Sequence, residues 1–268
     1  RTESVSNVGL SPYLNVGDGM IFGDTRLTFS NDGGVAYSFG TGYRHYIAAI
    51  DAVLGGNVYY DQDEIAGARF KQYGFGAELL AHDWEVRGNV YNLFGTTSEL
   101  TGTRVAPGSA LFAGNNLEFS RIDTFAEAID GFDAEIGHLL PGEFAERVDL
   151  RAFAGGYFYG GQGLDGFGGF STRLQADIGD WLELGLQLTD DDVFHTNVAF
   201  SATVHFGGFE SQEHTSRSGM QRMAEPVRRN LNIAAAIVDV TIPGQIADAL
   251  DGTPLTVVHV NSNDAIGP

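Results

Sequence analysis

The chain has no cysteine, which excludes disulfides and thiolate–metal sites. Positive charge is scarce. Fifteen Lys and Arg stand against 35 Asp and Glu, and the net charge of −20 has the wrong sign for a general nucleic-acid binder. No apolar run reaches about eighteen residues, so no transmembrane helix is encoded. A transmembrane β-barrel stays open, because its strands need only every second residue to be apolar. Proline is sparse at 7, while 37 Gly, 19 Phe and 10 Tyr suit many long strands better than disorder or a helical bundle. With neither an initiator Met nor a secretory leader, the chain is expected to be a mature form or a fragment.

What is present is alternation. In "WLELGLQLTDDDVFHTNVAFSATVHFGG", Leu182, Leu184, Leu186 and Leu188 share one side against Glu183, Gln187 and Thr189. After an Asp190-Asp191-Asp192 turn, Val198, Phe200, Ala202, Val204 and Phe206 share a face. Period two is that of a β-hairpin. The pattern recurs in "WEVRGNVYNLF", "VDLRAFAGGYFY", "STRLQADI" and "MIFGDTRLTFS". It predicts eleven strands, near 6–17, 20–30, 34–46, 51–61, 69–81, 83–94, 122–139, 146–159, 167–178, 181–190 and 194–206.

The polar faces carry Glu85, Arg87, Asp149, Arg151, Arg173 and Asp177. A soluble β-sandwich binding module also alternates, with its apolar face inward. Strand length favours an antiparallel transmembrane barrel, whose tilted spans need about 9–11 residues against about 5–6 for soluble strands. Connections alternate between short ones and longer ones near 62–68, 95–121 and 160–166, as in outer-membrane barrels. On that orientation the strand ending at Phe206 descends to the periplasm and the one at 6–17 starts outside. An even-stranded barrel then needs one further strand. Trp84 and Trp181 each open a strand after a short turn and are expected in the periplasmic aromatic girdle.

Beyond Phe206 the pattern stops. The next stretch, "ESQEHTSRSGMQRMAEPVRRNLNI", concentrates Arg217, Arg222, Arg228 and Arg229 in an acidic chain. Two readings stand: a solvated linker, or a segment threading back through an acidic lumen to carboxylates such as Glu85, Asp149 and Asp177. Ile246 to Leu250 could add helical turns, and "LTVVHV" at 255–260 reads as a fresh strand opening another domain.

The motifs "GLSPYLNVGD", "GYRHY", "GGNVYYDQDE", "YGFGAELL" with "WEVRGNVY", and "RRNLNI" after the last strand, in that order over residues 5–232, resemble the β-domain of the inverse autotransporters, the intimin–invasin family. The resemblance implies an outer-membrane barrel of about 11–12 strands that anchors and exports a C-terminal passenger to the cell surface through a linker in its pore. The implied layout is a barrel over 1–207, a linker over 208–243 and the start of a passenger over 244–268. The implied partners are outer-membrane lipid, the passenger and the barrel-assembly machinery, which would read the terminal-strand signal ending at Phe206. The alternatives are a general diffusion porin or a soluble β-sandwich binding module.

No catalytic motif, metal site or cofactor is expected. "YYDQDE" offers Asp61 to Glu64 as oxygen ligands but lacks the glycine and distal glutamate of a Ca²⁺ loop, and reads as a solvated loop. The seven histidines form no HExxH. "GGQGLDGFGG" joins two strands and opens no helix, so it is no phosphate loop.

Overall fold

The computed structural model describes residues 4–31, 33–161, 164–179, 181–206, 218–248 and 254. It is almost wholly antiparallel β. The strands are β1 (Val5–Leu10), β2 (Tyr13–Val16), β3 (Gly19–Ser30), β4 (Val35–Ile47), β5 (Ala52–Ile65), β6 (Ala68–Ala81), β7 (Trp84–Leu93), β8 (Ser98–Val105), β9 (Leu111–Ala113) and β10 (Asn116–Ala128). They continue as β11 (Asp130–Leu139), β12 (Arg151–Gly161), β13 (Leu164–Ile178), β14 (Leu182–Asp191), β15 (Asn197–Val204) and β16 (Ala235–Ile246). A helical turn, α1 (Glu143–Arg147), precedes β12, and a 3-10 helix spans Gly219–Ala224.

The large sheet runs β1-β3-β4-β5-β6-β7-β11-β12-β13-β14-β15, with β2 also on β3. β1 and β2 are two pieces of one strand, pairing with the two ends of β3 from Val5↔Ser30 to Val16↔Gly19. The break falls at Pro12, which has no N–H to give a ladder. Its carbonyl accepts instead from Gly23 N–H at 2.8 Å.

Burial on this sheet is reversed from that of a water-soluble sandwich. Along β7, Glu85, Arg87, Asn89 and Tyr91 are buried, while Trp84, Val86 and Val90 are exposed. Along β4, Ser38 and Arg44 are buried and Val35, Phe39 and Tyr43 are exposed. Arg44, Arg151 and Asp61 are each 1% exposed. In water such an arrangement would forgo about 1.5–3 kcal/mol for each large apolar side chain left out, and would still withdraw charge from solvent. A lipid surround reverses the first penalty.

The order ends at β1 and β15, both exposed along their length. Ten antiparallel steps separate them, so these two edges run in the same direction.

Several expected boundaries differ. The strand expected at 122–139 is two strands in two sheets: the alternation changes phase at Ala128-Ile129, both buried, and β11 restarts on the other phase. The connection expected at 95–121 contains β8, β9 and the start of β10. These segments are short and polar, closed by turns at Gly108 (φ 70) and Gly114 (φ 61), and give little hydrophobic periodicity. The strand expected from 146 starts at Arg151, because α1 occupies the approach. Ile246, expected to open helical turns, closes β16, and the strand expected at 255–260 lies outside the described residues.

β8, β9, β10 and β16 make a separate four-stranded sheet, ordered β16-β10-β8 with β9 also on β10. It belongs to a second compact unit formed largely by 98–127 and 236–268.

If the exposed face of the large sheet meets lipid, Leu186→Arg should destabilise the protein refolded in phospholipid vesicles by roughly 2–4 kcal/mol in denaturant titration. A change within about 0.5 kcal/mol, usual for a wetted surface, would contradict it.

Candidate functional site

Residues 218–233 lie along the polar face. At one end, Ser218 and Gln221 form a capping box on the 3-10 helix, with Ser218 N–H donating to Gln221 Oε1 at 2.9 Å. Gly219 packs so closely that an added Cβ would sit 2.2 Å from the Asp51 carbonyl oxygen. Arg222 Nη1 donates to the Ala81 carbonyl at 2.7 Å, its Nε to Glu225 at 2.8 Å, and its Nη2 lies 3.0 Å from Glu85.

Arg44 completes this end. Its Nε donates to Glu78 at 2.6 Å and its Nη1 to the carbonyls of Met223 at 2.7 Å and Glu225 at 2.5 Å. Arg87 pairs with Glu85 at 2.5 Å and Glu225 at 3.3 Å. Arg44, Arg87 and Arg222 thus balance Glu78, Glu85 and Glu225. Taking away one member of such a buried set costs about 3–5 kcal/mol, because its partner is left charged and unmatched.

Further along, Val227 packs with Met20, Phe22 and Tyr59, and its carbonyl accepts from Arg26 Nη2 at 3.0 Å. Arg228 pairs with Glu183, while its carbonyl accepts from Asn89 at 3.3 Å. Arg229 donates twice to Asp61, at 2.7 and 2.5 Å. Its guanidinium carbon lies 4.3 Å from the Tyr59 ring centre and 5.5 Å from that of Tyr91, favourable cation–π positions. A Cβ at Gly74 would meet Arg229 Nη2 at 2.6 Å, so glycine makes room for it. Asn230 N–H donates to Tyr91 Oη at 2.7 Å, and Ile233 N–H to Asp63 at 3.2 Å. The Ala234 carbonyl accepts from Ile129 N–H at 2.9 Å.

These contacts progress in one direction. They begin at Asp51, Ala81 and Glu85, where β5 starts, β6 ends and β7 starts. They finish at Asp63 and Ile129, beside the end of β5 and the start of β11. The segment therefore crosses the polar face along the strands.

Of the residues singled out in the sequence, Glu85, Arg87 and Arg222 meet directly. Asp149 pairs with Arg151 at 3.0 Å, and Arg151 also donates to the His82 carbonyl at 2.7 Å. Arg173 pairs with Glu135 at 2.6 Å over the Phe153 ring, and Asp177 accepts from Gln175 at 3.2 Å. Arg217 lies outside the described residues. Trp84 and Trp181 are exposed at the start of β7 and just before β14, and Phe206 is 91% exposed beyond β15. The reading of Asp61 as part of a solvated loop is corrected: β5 continues through it and buries it for Arg229. Arg44, Glu78, Glu183 and Glu225 were also missed. Glu183 stood on the polar phase of its strand, which was its signal. Among the described residues no group of three or more His, Asp or Glu could hold a metal ion.

A model of the family described as "Inverse autotransporter, beta-domain" matches residues 2–216. No curated protein matches the chain. The fold is similar to a solved structure described as "Unveiling the Mechanism Behind the in-meso Crystallization of Membrane Proteins". The TM-score is 0.61 and the identity 16%, over 88% of this chain and 100% of that one. At that identity the likeness bears on the fold alone. The family match, covering most of the chain, settles its membership: the chain belongs to the inverse autotransporter β-domain family, a structural and secretion family of bacterial outer membranes.

Proposed function

We propose that the large sheet closes in the outer membrane into a barrel of about twelve strands, and that 218–233 is the linker lying in its lumen and carrying a C-terminal passenger to the cell surface. The observation that carries this reading is the passage of the arginine segment along the polar face, from the β5 start to the β5 end. Strand direction supports closure. β1 and β15 run the same way, so one strand running oppositely between them joins both antiparallel edges and satisfies their backbone groups in lipid.

The exposed Val, Leu and Phe side chains then meet acyl chains. Trp84 and Trp181, at the same end of their strands, form part of the periplasmic girdle. Phe206, just past the last barrel strand, serves as the signal to the assembly machinery. Adhesin-type display is the function this layout suits, with the chain's own passenger as its cargo.

A diffusion porin fits less well. A water-filled pore leaves its lining charges wet, whereas Arg44, Arg222 and Asp61 are 1% exposed and matched by the arginine segment and its neighbours.

Replacing Arg228 and Arg229 by Glu sets like charges against Glu183 and Asp61. Protease-accessible display of an epitope tag after Pro268 on intact cells should then fall at least about tenfold, given a cost of about 3–5 kcal/mol at the buried Arg229–Asp61 pair. The heat-modifiable barrel band should persist, and undiminished display would sink the linker reading.

Gly219→Val, which cannot fit against Asp51, should loosen the 3-10 helix and raise ion conductance in planar bilayers above the unsubstituted protein. Equal conductance would argue that this segment does not fill the lumen.

A further inference from the structure

The second sheet joins parts of the chain that are far apart in sequence. β8, β9 and β10 interrupt the large sheet between β7 and β11, whereas β16 directly follows the arginine segment. β16 lies on the side of β10 opposite β8. Asp239 receives two side chains of the β8–β10 pair: Thr124 Oγ1 donates to it at 2.6 Å and Arg104 Nη2 at 2.7 Å. Those donors keep the Asp239 carboxyl below the ordinary aspartate pKa, the Thr124 hydrogen bond contributing most and Arg104 next. Further along, Ala247 N–H donates to the Leu117 carbonyl at 2.9 Å. As β16 advances, its partners on β10 recede from Thr124 to Leu117, the pattern of an antiparallel ladder.

β8 pairs with β10 from Val105↔Arg121 to Ser98↔Glu127, so this edge can form from local chain before β16 is available. Its geometry is that of β-augmentation, in which main-chain hydrogen bonds hold an added strand and side chains choose its register. A slip of one residue would turn Asp239 to the opposite face, away from Arg104 and Thr124. On the outer edge of β16, Pro243 offers no N–H, which discourages further strands.

We propose that the β8–β10 hairpin is an exit template: the segment delivered by the arginine strip adds to the β10 edge as β16, with Arg104 and Thr124 reading Asp239 to set its register. The inference rests on the linker reading above and assigns the hairpin a partner, an extended segment of this same chain carrying one acidic residue. Once added, the strand resists retreat of the exported chain.

The test uses the full-length protein in intact cells, pulse-labelled, with a protease-accessible tag after Pro268 and the heat-modifiable barrel band followed in parallel. Asp239→Arg should slow the appearance of the tag about two- to fivefold, the scale of an exposed ion pair exchanged for a like-charge contact. Adding Arg104→Asp should restore the rate by re-creating the pair with reversed polarity. An unchanged rate in Asp239→Arg, or a loss that the exchange does not restore, would overturn the template. If the unsubstituted protein never exposes its tag, the linker reading itself fails, which is a separate result.

Discussion

Arg229 is charged, is held away from water between the Tyr59 and Tyr91 rings, and makes both of its carboxylate bonds to Asp61. A guanidinium can occupy such a place only where an acid meets it. The constraint acts on both partners. Asp61 is as buried as Arg229, so β5 has an unmatched charge unless residue 229 arrives, and the arginine segment has one unless β5 is in place. The same reciprocity joins Arg228 to Glu183 and Arg222 to Glu85 and Glu225. Ion pairs of this kind add little net stability over apolar substitutes of similar volume, but they penalise every other register of the segment on the sheet.

That requirement explains the reversed burial of the strands. One face must supply charges to a segment from elsewhere in the chain, so apolar residues are confined to the other face, where only lipid suits them. The two-residue period of a strand is sufficient to separate these environments. The acidic excess of the chain is distributed accordingly: Asp61, Glu78, Glu85 and Glu183 lie on the face that receives the arginines.

The antiparallel class and most spanning strands were legible because hydrophobic alternation is a local signal. "WEVRGNVY" shows in eight letters which residues of β7 are buried and which are exposed. The site was half legible. Clustered arginines in an acidic chain marked one set of partners, but nothing local announces that Asp61 rather than Asp149 will face Arg229, since that depends on the register of a segment 168 residues away. Asp61 was obscured by its neighbours, because Asp63 and Glu64 make the stretch look like a hydrated loop. β8 and β9 were hidden for a different reason. Short strands of a small, mostly exposed sheet have no continuous apolar face, so composition and period carry little information about them. The split at Ala128-Ile129 appears only as a change of phase within an otherwise regular pattern.

Cross-linking reads out whether residues 218–233 occupy the polar face of the sheet. The chain has no cysteine, so a single introduced pair is unambiguous. Asp63→Cys with Ile233→Cys joins the far end of β5 to the end of the segment, where the Ile233 amide donates to Asp63 at 3.2 Å. In outer membranes from cells expressing the full-length protein, oxidation should convert most of the double variant to a faster-migrating, reductant-sensitive band, with either single variant unchanged. A double variant that stays uncrosslinked while its barrel band is intact would contradict the account.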